Sequence, residues 1–234
     1  MIIASISDLD PLGSDLGPFI DMIKKIKEPD LFLLGGDIYD YRSPEIYGFF
    51  LDLLKMMKWK CPTVAVFGNH EFDEDRDDIR KICGKKITFL EEEKVELKIG
   101  GKSVGVVGTE GSLDIPTWWQ FAHEKGINRE YDERREKVRK LLAGLKTDVK
   151  ILLSHYSSTY KTLRGEDRRV YGGLGSEKYE KVLMDTKPTF AIHGHAHYGI
   201  PLAFVGAIPV FNVCFNINKK IVQIDPDKLP KKFA

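Results

Sequence analysis

The chain has 234 residues, 42% hydrophobic and 30% charged, enough apolar content for a buried core in one large domain or two small ones. Its formal net charge of +1 supplies no overall basic field to steer it to nucleic acid. Its three cysteines, Cys61, Cys83 and Cys214, are far apart and odd in number, which argues against a disulfide framework or a cysteine-rich zinc site and for a reducing compartment.

The opening stretch MIIASISDLDPLG lacks the positive segment and the apolar length of a signal peptide, and no run approaches the ~20 apolar residues of a membrane span. The expectation is a soluble, cytoplasmic protein without membrane contact. Ile2 to Ile6 reads as a buried strand ending in Ser7 and Asp8. Ser14 or Asp15 then caps a helix with Phe19, Ile20, Ile23 and Ile26 at helical spacing, stopped by Pro29 and Asp30. LFLLGGD is a second strand, Pro44 to Lys58 a second helix, and TVAVFGNHE repeats the plan of apolar strand, glycine and polar residues. Strand and helix in alternation predict an α/β fold with a mostly parallel sheet.

The middle of the chain departs from this rhythm. Gly100-Gly101 sits between short strands and predicts a hairpin. Residues 112–146 read as an inserted helical lid within one domain spanning 1–234. The lid has an aromatic part, IPTWWQFAHEKG, and a charged helix from an Asn128 cap to Gly144, with Tyr131, Val138, Leu141, Leu142 and Leu145 as its apolar stripe. KILLSHY restores the strand pattern, a loop from Thr159 to Gly175 follows, and Ser176 caps a helix. FAIHGHAH, PLAFV, IPVFNVCFNI and KKIVQID complete the strands.

Polar, ligand-type residues end apolar strands in five places: SDLD, GGDIYD, GNHE, SHY and HGHAH. In open α/β sheets the loops beyond the C-terminal strand ends converge on one crevice. Asp8, Asp10, Asp37, Asn69, His155, His195 and His197 are therefore expected to meet there. Carboxylates, imidazoles and one amide form an oxygen and nitrogen set suited to Mn, Fe or Zn rather than to a thiolate-type metal, and the set is larger than one tetrahedral ion needs.

The five blocks, in this order, resemble those of the calcineurin-like metallophosphoesterase superfamily: Asp8-Leu9-Asp10, Gly36-Asp37-Ile38-Tyr39-Asp40, Gly68-Asn69-His70-Glu71, His155, and Gly194-His195-Ala196-His197. The resemblance implies a four-layer αββα sandwich and two divalent ions, Mn first, with Fe, Zn, Co or Ni as alternatives. It implies that Asp37 bridges the ions, with Asp8, Asp10 and His197 on one and Asn69, His155 and His195 on the other. A metal-bridging hydroxide would attack a phosphodiester or phosphomonoester, and His70 would assist the leaving group. Asp40 is expected to orient His70 rather than to bind metal. Asp10 stands where the family usually has histidine, which adds negative charge and implies a harder site.

Outside the blocks, His193 lies on its strand and is expected to pack, His123 to lie on the surface, and Glu110 to serve as a turn residue as readily as a site residue. Arg164, in the basic loop TYKTLRGEDRRVYGG, is the expected substrate contact. Trp118 and Trp119 are expected either to join the core or, for one of them, to face the pocket. The expected substrate is a small phosphoester, with nucleotides among the candidates, and not extended nucleic acid. A binding scaffold without catalysis should have lost ligands or His70, and a nuclease should carry a broad basic groove. Neither fits as well. The oligomeric state is not legible.

Overall fold

The computed structural model describes residues 1–9, 17–38 and 44–231. Strands β1 (Ile3–Ile6), β2 (Leu31–Leu34), β3 (Thr63–Ala65) and β4 (Thr88–Phe89) pair in parallel, and β11 (Val222–Ile224) adds antiparallel to β1. The second sheet contains β5 (Glu93–Ile99), β6 (Lys102–Thr109), β7 (Val149–Ser154), β8 (Phe190–His193), β9 (Leu202–Val205) and β10 (Ile208–Asn212). Its order is β5-β6-β7-β8-β10-β9, parallel through the centre, with β5 and β9 as antiparallel edges.

Side chains alternate along each strand, and this alternation builds the layers. Leu31 and Leu33 face Val104, Val106, Ile151, Leu153, Phe190 and Ile192 of the other sheet, making the core between the sheets. Phe32 and Leu34 point the opposite way and meet Phe19, Ile23, Phe50, Leu53 and Ile79. Those residues come from α1 (Gly17–Lys24), α2 (Ile46–Met56) and α3 (Asp73–Cys83). On the far side, Val107, Leu152, Ala191 and Val210 pack against Val138, Leu142, Tyr179 and Leu183. The result is the expected helix–sheet–sheet–helix sandwich. Strands buried on both faces read as unbroken apolar runs, which is why they were visible in the sequence.

Within 112–146, the short helix α4 (Trp118–His123) is exposed, whereas α5 (Ile127–Gly144) belongs to the outer layer through Val138 and Leu142. Gly126, with φ 88°, caps α5 two residues before the expected Asn128 cap. The loop 159–175 is more ordered than expected, with two 3₁₀ turns and α6 (Tyr171–Leu174). Ser176 does not cap the next helix, α7 (Tyr179–Thr186), because its hydroxyl donates to Asp114 at 2.6 Å. The run IPVFNVCFNI is strand only to Asn212. The Asn212 side chain accepts the Cys214 N–H at 3.1 Å, and α8 (Phe215–Asn218) follows.

Candidate metal centre

The site forms where the parallel strands of both sheets end. Asp8 follows β1, Asp37 follows β2 and His195 follows β8, and all three have left-handed backbones, with φ of 57°, 51° and 63°. Such conformations cost non-glycine residues about 1–3 kcal/mol and persist where surrounding bonds over-determine them. Here the Asp8 N–H donates to the Gly36 carbonyl at 3.1 Å and the Leu9 N–H to the Asp37 carbonyl at 2.8 Å, tying the first two loops together. The His195 N–H donates to the Asp8 carboxylate at 3.0 Å, tying in the third. Gly68 admits the fit, since a Cβ there would lie 2.7 Å from the Asp37 nitrogen.

Ligand atoms of Asp8, Asp37, His155 and His195 lie within 4.8 Å of one another, as do those of Asp8, His197 and Cys214. Three members of the first group are closed to solvent, Asp8 and His155 at 0% exposure and Asp37 at 1%, while His195 is half-buried. His155 turns Nδ1 to the Gly35 carbonyl at 2.9 Å, which leaves Nε2 facing Asn69 Oδ1 at 2.9 Å and Asp37 Oδ2 at 3.4 Å. Burial, then the nearby His155, pushes the His195 pKa down to about 3. The ring is therefore neutral, the form that binds a metal. Burial alone would raise the Asp8 carboxyl, but the His197 hydrogen bond at 3.2 Å and the charges of His155 and His197 hold it below the usual carboxylate range. Two buried carboxylates among imidazoles make a donor set that a divalent cation completes.

The profile of the calcineurin-like phosphoesterases matches residues 1–199, which include the strand ends that carry Asp8, Asp37, Asn69, His155, His195 and His197 but not Cys214. The chain belongs to the calcineurin-like phosphoesterase family. Among solved structures, the phosphopantetheinyl hydrolase of Mycobacterium tuberculosis is similar at 17% identity, with TM-score 0.71 over 97% of this chain and 98% of that one. A putative 5'-nucleotidase from Staphylococcus aureus is similar at 17% identity and TM-score 0.58, over 90% of this chain but 48% of that one. The NAD nucleotidase of Haemophilus influenzae gives 15% identity and TM-score 0.57, over 94% of this chain and 48% of that one. At these identities the likeness concerns the fold. No curated protein matches the chain.

A calcineurin-like phosphoesterase needs its ligand loops held in register, and residues without an expected role do this here. Glu71, fully buried, accepts the N–H groups of Asp37 (2.9 Å), Ile38 (2.8 Å) and Gly68 (2.6 Å) and the Tyr47 hydroxyl (3.0 Å). The acid after GNH was its only sequence signal. Tyr156 packs against both His155 and His195, at ring distances of 5.3 and 4.9 Å. Asn216 lies 3.0 Å from His197 Nδ1, and Ser7 donates to Asp8. Asn216 had no local signal, because its partner His197 is distant in sequence, and Ser7 was legible only as the residue before Asp8.

Among the expected site residues, Asp8, Asp37, Asn69, His155, His195 and His197 come together. Asp10 and Asp40 lie outside the described residues. His70 sits at the edge of the cluster. Its N–H donates to Asp37 Oδ1 at 2.9 Å and its ring Nδ1 lies 3.7 Å from Asp37 Oδ2. Arg164 is exposed, on a loop held beside the GHAH segment by the Tyr198 N–H to Glu166 bond at 2.7 Å. Its neighbours Lys161 and Arg169 pair with Glu180 and Asp167. His193 is buried and bonds Thr162 at 2.8 Å, and His123 is exposed and stacks on Trp119. Glu110 pairs with Arg76 at 2.9 Å. Trp118 and Trp119 are 81% and 58% exposed, so neither is core.

Proposed function

We propose that the protein is a dinuclear metal-dependent phosphoesterase of small phosphomonoesters or phosphodiesters. The observation that carries this reading is the cluster of Asp8, Asp37, His155 and His195 ligand atoms, the first three residues buried and His195 half-buried, adjoined by Asn69 and His197. Asp37 is assigned as the shared carboxylate. Asp8, Asp10 and His197 hold one ion, and Asn69, His155 and His195 the other. A pair of divalent ions, of which Mn is the first candidate, supplies Lewis acidity and an activated water when bound.

The chain's own residues do the rest. His155, its Nδ1 fixed by the Gly35 carbonyl, and His195 present ring nitrogens to the ions. His70, outside the ligand set but beside Asp37, delivers a proton to the leaving oxygen through its ring. Asp40 orients that ring. Arg164, on its loop beside Tyr198, contacts a substrate phosphate oxygen. The chain acts as one domain, 1–234. The lid of the segment 112–146 is its exposed part around α4. Ile115 is held to Gly172 at 2.9 Å, which supports placing one of Trp118 and Trp119 toward the site.

The phosphopantetheinyl hydrolase and the nucleotidases of this fold support a small phosphorylated substrate, a nucleotide among the candidates. The cysteines are free and no described helix is long and apolar enough to cross a membrane, which supports a cytoplasmic location without membrane contact. Hydrolysis of p-nitrophenyl phosphate, bis-p-nitrophenyl phosphate and single-stranded DNA, with and without Mn, tests the reading. Turnover of one of the two small esters, lost on chelation, is expected. DNA cleavage alone would make it a nuclease, and no turnover with metal bound would make it a scaffold.

A further inference from the structure

Cys214 lies where no ligand was expected. Its sulfur is within 4.8 Å of ligand atoms of both Asp8 and His197, and its residue is fully buried. The position is held from both ligand loops. Ser7 pairs with Cys214 as an isolated parallel bridge, and the Phe215 N–H donates to the Ser7 carbonyl at 3.0 Å. From the other side, the Val213 N–H reaches the His193 carbonyl at 2.8 Å, and Asn212 Nδ2 reaches the Ala196 carbonyl at 2.9 Å. The residue before Cys214 and the residue after it are thus bonded to the strand ends that carry His195, His197 and Asp8. Cys83, by contrast, ends α3 and sits in the apolar core, and Cys61 stands beside Glu28.

We propose that Cys214 is a thiolate ligand, with Asp8 and His197, to the ion on the Asp8 side of the centre. The inference rests on the two-ion reading above and adds a ligand to it. Binding exchanges one proton for the metal: the thiol S–H bond breaks, the sulfur–metal bond forms, and the proton leaves to solvent. The thiolate makes this position softer than the Asn69–His155–His195 position, favouring Zn or Fe over Mn there. The centre is then an unequal pair, with a sulfur-bearing site beside an all-nitrogen-and-oxygen site.

The alternative is a packed thiol that donates a hydrogen bond to Asp8, and cobalt distinguishes the two. Metal-free protein is titrated with Co(II) in thiol-free buffer, with bound cobalt measured by equilibrium dialysis on the same samples. Two bound ions and a sulfur-to-cobalt charge-transfer band in the near-ultraviolet are expected. The band should vanish in Cys214→Ser and Cys214→Ala and survive in a Cys61→Ser, Cys83→Ala double variant. Two bound ions without the band in the wild-type protein would overturn the thiolate ligand and leave the two-ion reading standing. No bound cobalt would overturn both. If the Cys214 variants fail to fold, X-ray absorption of the zinc-loaded wild-type protein decides. One sulfur at about 2.3 Å from zinc supports the proposal, and a shell of nitrogen and oxygen alone contradicts it.

Discussion

The backbone N–H of Asp37 donates to the Glu71 carboxylate at 2.9 Å, and the same oxygen takes the N–H of Gly68 at 2.6 Å. Glu71 thereby sets the spacing between the GD and GN loops without touching a metal. Glu71→Gln leaves the size unchanged but turns an amide NH₂ toward backbone donors. Losing such a buried acceptor costs about 1–3 kcal/mol. The variant should melt at a lower temperature without metal and bind Mn about 10–100-fold more weakly, as expected when a ligand's support is removed. Calorimetric titration and thermal melting check both. Unchanged affinity would confine Glu71 to general packing.

Much of this arrangement was legible before the structure. Leu31–Leu34 and Ile151–Leu153 are apolar runs because both faces of their strands are buried, and Asp37 and His155 follow those runs within a few residues. Gly100-Gly101 gave the hairpin because both residues adopt positive φ. What escaped depends on long-range contacts. The helix Ile127–Gly144 shows its amphipathic stripe, but nothing local says that the stripe meets Leu152 and Ala191 rather than covering the active site. Cys214 looked isolated because its neighbours, Asp8 and His197, are brought to it only by the pairing of β8 with β10 and of Ser7 with Cys214.

Gly68→Ala isolates the close approach of the two loops. The added methyl would lie 2.7 Å from the Asp37 nitrogen and collide with its carboxylate, so Asp37 must move. The variant should keep its circular dichroism spectrum, lose bound metal and lose hydrolysis. Full metal content in purified Gly68→Ala would show that the loops can separate without dismantling the centre.

His70→Ala should separate chemistry from metal binding. His70 lies beside Asp37 and is assigned to the leaving group, and general acid catalysis is worth about 10²–10⁴-fold. Turnover of an alkyl phosphoester should fall by about that factor with metal content unchanged. The loss should shrink for p-nitrophenyl esters, whose leaving group needs no proton. Protein that arrives without metal would reassign His70 to the metal shell.

The metal-free protein should lose stability in acid through its buried imidazoles. Burial pushes the His193 pKa down to about 4, while an unfolded histidine titrates at about 6.5. Between these values the unfolded chain binds more protons than the folded one. The contribution is therefore complete above about pH 6.5 and declines as pH falls toward about 4, by about 3 kcal/mol in all. His195 acts in the same direction. Urea unfolding from pH 8 to pH 4 should show the decline, with a shallower slope in His193→Gln. Parallel profiles would remove His193 from the account.

The central claim is that these strand ends hold two metal ions per chain. Elemental analysis of protein loaded with Mn or Zn, then exchanged into metal-free buffer, measures it directly. A reproducible stoichiometry of two ions is predicted, falling to less than one in Asp37→Asn because one shared carboxylate serves both. One ion per wild-type chain, or none, would contradict the dinuclear centre.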